Sequence, residues 1–279
     1  MVRIVAVGDN VVDCYAANAM MYPGGNTLNA AVFVRRFGGQ SAYVGAVADD
    51  AAGRHIRAAL MAEGVDVSHL RVLDEGMTAY CVIGHEDGDR IFITYDLGVS
   101  MFTPVEADLA FIAGFDAAHI GRSSGLDAHL ADVAQRTRLS YDFSTGRDPG
   151  HIAAVAPLCL LTAASAGEAP EAEALALQRQ MLDAGAQWAL VTRGRAGAIL
   201  SDGSAVHSVA AVPTEVVDTL GAGDTFTART LYGLLRGEAP DLVLREAAQA
   251  AANTCRYYGA VGHGAPIDIG AEVPELAQA

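Results

Sequence analysis

Apolar, β-branched runs alternate along this chain with longer amphipathic runs, and that alternation limits the fold more than any other feature. "VRIVAVG" is followed by "TLNAAVFVRRFGG", then "SAYVGAV", then "AGRHIRAALMAEG". After an interruption the rhythm resumes with "FDAAHIG", the helical "LDAHLADVAQRT", "LSYDFS", a short helix through Ile152 to Val155, "LCLLTAA", a helix from about Glu171 to Ala184, and "WALVTRG". Strands that read as near-continuous apolar runs are covered on both faces, as in a parallel sheet between two layers of helices. "AGAILSDGSAVHSVAAV" reads as a hairpin turning at Asp202-Gly203. Two helices follow, from about Ala222 to Leu235 and from about Leu242 to Tyr258, with Gly259 as the stop.

The interruption is itself informative. Thr78 to Asp96, "TAYCVIGHEDGDRIFITYD", is a pair of alternating strands around "HEDGD" and does not fit the βα rhythm. "TPVE" comes next, with Thr103 as N-cap, Pro104 at the first helical position and Glu106 completing a capping box, so the α/β body is expected to restart there. A β excursion of this kind is a lid over a site, an oligomer contact, both, or an ornament.

Composition excludes several classes. At 279 residues, 52% hydrophobic and 18% charged, the chain can bury a large core, and no polar linker divides it. A net charge of -15 repels nucleic acid and anionic membrane surfaces. No apolar run is long enough to span a bilayer and no leader pattern opens the chain, so a cytoplasmic location is expected. The four cysteines lie far apart in apolar contexts, which suits packed, reduced thiols, and the eight histidines show no zinc-ligand spacing.

Chemistry concentrates in a few loops. In "VDTLGAGDTF", Gly221, Ala222 and Gly223 stand between an apolar run and a helix, and Asp224 follows at once. A helix start carries unpartnered N–H groups and a partial positive charge, a natural site for phosphate. Asp224 then either caps its own helix or takes the proton from an attacking hydroxyl beside that anion hole. "PGGNTLNAA" puts Gly24 and Gly25 before a helix and sets Asn26 and Asn29 on one helix face, where their amides suit a polyhydroxyl ligand unless Asn26 is simply the N-cap. "GDNVVD" places Asp9, Asn10 and Asp13 near the carboxyl edge of the sheet, although Asp13 alone would be an ordinary turn residue. "VTRGRAG", with Thr192, Arg193, Gly194 and Gly197, lets backbone approach a nucleotide. "SAGE" offers Glu168 for magnesium through water, or as a favourable acid at a helix start. Neither a Walker-type loop nor a dinucleotide fingerprint is present, which disfavours a nucleotide-binding oxidoreductase.

Sugar-like loops early, phosphate-like loops late and "GAGD" after both form a set that resembles the PfkB (ribokinase-like) family of carbohydrate kinases over nearly the whole chain. "DTLGAGD" matches that family's signature, and "GDNVVD", "YPGGNTLNAAV" and "YYGAVGHGAP" look most like its fructoselysine 6-kinase branch. The resemblance implies a single domain over 1–279. Its fold would be a three-layer α/β/α body with a mainly parallel sheet, plus β-lid excursions from roughly 13–24 and 76–100 that often form a homodimer contact. It implies Asp224 as catalytic base, Gly221, Ala222 and Gly223 as anion hole, and Asp13, Gly25 and Asn29 as sugar contacts. Thr192, Gly194 and Gly197 match the nucleotide loop, and Asn253 falls where the adenine pocket closes. ATP and Mg2+ are the implied cofactors, with a monovalent cation such as K+ at Asp218. Two departures stand out: Ser165 replaces the Asn of the N-x-x-E magnesium motif, and Arg229 occupies a helix position where relatives usually have Gly.

The expected function is ATP-dependent phosphorylation of a primary hydroxyl, most simply the 6-position of a glycated amino acid such as fructoselysine or glucoselysine. Ribokinase, fructokinase or nucleoside kinase activity is the alternative within the family, and a non-catalytic sugar sensor the alternative outside it. A glycated amino acid brings an ammonium and a carboxylate. Glu86, Asp87, Asp89 or Asp96 are the expected partners for the first, and Arg90 or Arg122 for the second.

Overall fold

The computed structural model describes the backbone of residues 1–86 and 89–270 and, of these, every side chain except those of 85, 86, 89, 90 and 92. The hairpin tip and the side chains of Glu86, Asp87, Asp89 and Arg90 therefore lie outside the described residues. In chain order the first half comprises β1 (Arg3–Val7), β2 (Val11–Tyr15), β3 (Met20–Gly24), α1 (Asn26–Arg36), β4 (Gln40–Ala48), α2 (Ala51–Ala62), β5 (Leu70–Leu73), β6 (Tyr80–Glu86), β7 (Asp89–Asp96), α3 (Glu106–Ile112), β8 (Ala117–Gly121) and α4 (Leu130–Ala134). The second half comprises β9 (Arg138–Asp142), α5 (Pro149–Val155), β10 (Cys159–Ser165), α6 (Glu171–Asp183), β11 (Trp188–Thr192), β12 (Ala198–Ser201), β13 (Val206–Val209), α7 (Ala222–Leu235), α8 (Pro240–Thr254) and β14 (Ala265–Pro266).

Among the described residues the strands form two sheets. The larger has nine strands in the order β13-β12-β11-β10-β9-β8-β1-β4-β5. Neighbours from β11 to β5 run parallel, and β12 and β13 add the expected antiparallel hairpin at one edge. Successive strand residues face opposite sides, so Ile4 and Ala6 of β1 enter the core under α1, α2, α7 and α8, while Val5 and Val7 enter the core under α3 to α6. The body is thus three layers, α/β/α, with a mainly parallel sheet. The five-stranded second sheet runs β14-β3-β2-β6-β7. In it the first β excursion joins the second, with β2 pairing antiparallel to β3 and parallel to β6.

Three boundaries differ from the sequence expectation, each for a tertiary reason. α3 begins at Glu106 after Val105 rather than at Thr103, because the buried Asp108 carboxylate accepts the Val105 N–H at 2.9 Å and also holds His69 and Arg71. The run "LDAHLADVAQRT" divides into a 3-10 turn over Asp127–His129 and the short α4. α8 stops at Thr254 rather than Tyr258, because the Cys255 carbonyl accepts the Val217 and Asp218 N–H groups and the Gly259 N–H is taken by the Asp218 carboxylate.

Arg229 also finds an explanation. Its guanidinium leaves the cleft side of α7 and donates to Glu238 at 2.7 Å, with the Tyr232 ring 5.7 Å away. Gly233, one turn on, makes room, since a Cβ there would lie 2.6 Å from Nη1. A large cation is tolerated because a carboxylate and a glycine sit where its side chain runs. The pair is nearly buried, with side chains 10% and 15% exposed. Removing one partner strands a charge, so Glu238→Ala is expected to lower unfolding stability by about 3 kcal/mol in urea titration while leaving turnover unchanged.

Candidate active site

β1 has β4 on one side and β8 on the other, so the chain leaves the sheet in opposite directions at this point and a crevice opens at the carboxyl edge. Asp9 follows β1, Arg122 follows β8, Asp142 ends β9, Glu168 follows β10 and the Thr192–Gly197 loop follows β11. A cleft of about 890 Å³ runs along this edge and includes Asn26, Arg122, Asp142, Glu168, Thr192 and Asp224 in its walls.

The N-cap of α7 is Gly221, in the left-handed region at φ 78° that glycine adopts most readily. Asp224 is therefore the third residue of the helix and makes no capping bond. Its carboxylate instead reaches α1: Oδ1 accepts from Asn26 Nδ2 at 2.9 Å and Oδ2 from Asn29 Nδ2 at 2.6 Å. Burial pushes the Asp224 carboxyl up to about 7, with the nearby Asp142 and Asp9 carboxylates adding to the rise and the two amides opposing it. The capping alternative is excluded by this geometry. Ala222 and Gly223 line the cleft wall and Gly221 does not; the Ala222 N–H is not an orphan, because it donates to the Thr219 carbonyl at 3.3 Å.

Asn26 is a helical residue, not the cap, which is Gly25. Its amide also donates to Asp142 Oδ2 at 2.9 Å, and its Oδ1 meets His119 Nε2 at 3.1 Å. Gly121 permits that approach, because a Cβ there would lie 2.3 Å from Asn26 Oδ1. Asp9 organises the turn beneath. One of its oxygens accepts the Asn26 N–H at 2.9 Å and the other accepts the Ser124 hydroxyl at 2.8 Å.

Other expected residues are placed as follows. Asn10 is buried, and its amide donates to Tyr43 and to the Ala46 carbonyl, so its donors face the interior rather than the cleft. Asp13 is buried on β2 against Gly24, where a Cβ would lie 2.0 Å from its Oδ2. Asp96 is exposed and accepts the Gly98 N–H. Thr192, Gly194 and Gly197 line the cleft, but Arg193 turns to Glu171 at 3.2 Å and Arg195 takes the cleft position. Asn253 lies on the exposed side of α8, bonded to Gln249; the cleft wall is made instead by Ala248, Ala251, Ala252 and Cys255. Ser165 accepts the Gly167 N–H and so shapes the turn that presents exposed Glu168. Asp218 is spent on internal bonds: it accepts the Tyr15 hydroxyl and the Leu220 and Gly259 N–H groups. Sequence reasoning missed Asp142 and His119. The available signals were a carboxylate ending an apolar strand in "LSYDFS" and a histidine inside the apolar "FDAAHIG".

Comparison with known proteins gives the family. A model described as pfkB family carbohydrate kinase matches residues 1–141 and 160–267. The chain belongs to the pfkB family of carbohydrate kinases. It is 37% identical to fructosamine kinase FrlD of Bacillus subtilis (strain 168), over 95% of this chain and 94% of that one. It is 33% identical to fructoselysine 6-kinase of Escherichia coli (strain K12), over 93% of this chain and all of the other. The fold is that of Arabidopsis thaliana ribokinase complexed with ribose and ATP, with a TM-score of 0.77 at 22% identity over 94% of this chain and 95% of that one. The fold is therefore ribokinase-like. Among the described residues, no helix is long and apolar enough to cross a membrane.

The site makes one direct prediction. The Asp224 carboxyl of the ligand-free kinase should titrate near pH 7 by carboxyl NMR, and Asn29→Leu, which removes a donor to the charged form, should move it higher.

Proposed function

We propose that this kinase transfers the terminal phosphoryl group of ATP to the 6-hydroxyl of a glycated amino acid such as fructoselysine or glucoselysine, with Asp224 as general base. The observation that carries the base assignment is a carboxylate held by two amides, half-buried at the mouth of a helix N-terminus. The hydroxyl oxygen attacks the γ-phosphorus as its proton passes to Asp224, and the bond from that phosphorus to the β–γ bridging oxygen breaks to release ADP. The N–H group of Gly223, which lines the cleft, would face the developing negative charge, whereas that of Ala222 already donates to the Thr219 carbonyl. A sugar sensor would gain nothing from a carboxylate raised toward neutrality at the point where a nucleophile must sit.

The nucleotide lies across the Thr192, Gly194 and Gly197 loop with its base against Ala248, Ala251 and Ala252, small side chains that leave room for a flat ring. Among the described residues no cluster of three or more metal-ligating side chains exists, so magnesium fits only as it does in most kinases, through the phosphates and a single carboxylate such as Glu168. When bound it supplies charge neutralisation at the phosphoryl oxygens. Asp218, the residue expected to hold a monovalent cation such as potassium, already accepts three donors, which occupy most of its roughly four lone-pair sites.

Two observations support a glycated amino acid as acceptor: the identity to kinases named for fructosamine and fructoselysine, and Arg122. The Arg122 guanidinium is exposed in the cleft with no carboxylate partner among the described residues, and its planar fork suits an α-carboxylate. A homodimer through the lid is also part of the proposal. β7 is an edge strand, and Tyr95 and Leu97 at its end are 68% and 51% exposed. Sedimentation should give a dimer that Tyr95→Asp converts to monomer, and a monomeric wild-type protein would refute the contact.

ATP consumption against glycated amino acids, hexoses, ribose and nucleosides tests the acceptor. The glycated amino acid should show the highest kcat/KM, and the analogue without its α-carboxylate should lose about 1 kcal/mol or more of transition-state binding. Equal use of ribose, fructose or a nucleoside would discard the glycated acceptor and leave the kinase standing.

A further inference from the structure

His119 is 1% exposed at the centre of the sheet and does not line the cleft, yet both ring nitrogens are engaged. On β8 it sits opposite Ser140 of β9 and beside Ala6 of β1. Nδ1 meets Ser140 Oγ at 3.1 Å and Nε2 meets Asn26 Oδ1 at 3.1 Å. Asn26 in turn donates from Nδ2 to Asp142 and to Asp224, at 2.9 Å each. With Asp142 and Asp224 both ionised, the chain of bonds admits one assignment. Two carboxylate acceptors require the Asn26 NH2 on their side, which turns its carbonyl oxygen to the histidine. Nε2 must then carry the hydrogen, and Nδ1 accepts from the Ser140 hydroxyl.

We propose that His119 is a positioning residue that locks the Asn26 carboxamide with its NH2 toward Asp142 and Asp224, and thereby sets the direction and proton affinity of the catalytic carboxylate. Burial holds the imidazole neutral, pushing its pKa down to about 4, so the single N–H stays on duty across the working pH range. Without that donor the Asn26 oxygen loses its protein partner, and the amide loses its preference for one of two flips. A flipped amide would set its oxygen against two carboxylates. The inference rests on Asp224 being the base, and it adds a residue that touches neither substrate nor reacting atoms.

The sign of the pH effect follows from what faces Asp224. Asn26 and Asn29 of α1 depress its pKa, whereas Asp9 after β1 and Asp142 of β9 raise it. Arg122 after β8 and Arg195 after β11 line the same cleft. Loosening Asn26 removes a depressing donor, so the acidic limb of kcat/KM must move to higher pH.

The test compares His119→Phe, His119→Gln, Ser140→Ala and Asp224→Asn in the full-length kinase, following kcat, both KM values, the pH profile and thermal unfolding. His119→Phe is expected to lower kcat roughly tenfold to 10²-fold, the scale of a misplaced catalytic group, to shift the acidic limb upward and to leave both KM values within about twofold. His119→Gln keeps a donor near the Nε2 position and should restore most of the loss, while Ser140→Ala, which frees the tautomer, should fall between. Wild-type kcat and pH profile in folded His119→Phe, or equal damage in His119→Gln, would overturn the proposal. If His119→Phe does not fold, an unchanged rate and pH profile in Ser140→Ala would overturn it instead. An active Asp224→Asn would remove the base reading itself; an inactive one beside a wild-type-like His119→Phe would remove only the positioning role.

Discussion

Two amides against one carboxylate hold the site together. Desolvation raises the Asp224 carboxyl, and unopposed it would leave still less of it ionised at neutral pH. Asn26 and Asn29 stand one turn apart on α1 and each give it an N–H, and the balance comes to rest near 7. In the proposed role of general base, a carboxyl poised there would accept a proton readily and still be ionised in a large fraction of molecules. The contact also pins α1 to α7, two helices on the same face of the sheet, so the cleft's acceptor side and its anion hole cannot shift independently.

The rest of the fold exists to bring those two helix starts together. A parallel sheet delivers the ends of β1, β8, β9, β10 and β11 to one edge, and α1 crosses at the point where strand order reverses. The five-stranded second sheet is tied to the same place. Tyr15 on β2 bonds Asp218, and Tyr15, Tyr22 and Tyr258 stack edge-to-face or in parallel with ring centroids 5.3 to 6.5 Å apart. Asp218 also accepts from the Leu220 and Gly259 N–H groups on either side of the α7–α8 pair, so the residue expected to hold a cation serves as the clasp between the second sheet and the loop before α7.

How much of this was legible depended on how local the cause is. The strand and helix alternation was readable because each element carries its own burial pattern, and "DTLGAGD" was readable because a glycine turn before a helix is a local anion trap. Where a long-range carboxylate intervenes, local rules fail. Asp108 moved the start of α3 past Thr103, and Asp218 ended α8 early. Arg193 and Arg195 are near-equivalent in sequence, and only the position of Glu171 sends the first away from the cleft. Asn10 and Asn253 are polar residues in promising segments whose side chains the fold points elsewhere, one inward to Tyr43 and one outward to Gln249.

The sequence by itself determined the layered α/β/α body, the glycine-rich loops at strand ends and the place of a carboxylate in the first turn of α7, because backbone preference, side-chain period and helix-end electrostatics act over a few residues. Only the tertiary structure decided what that carboxylate is bonded to. Its donors Asn26 and Asn29 are separated from it by 198 and 195 residues of chain, and the His119 and Asp142 that bond Asn26 in turn are just as remote from α1 by any local rule. Their hydrogen bonds form because β1, β8 and β9 lie side by side and present their ends to one crevice, where burial makes an unpartnered polar group too costly to leave.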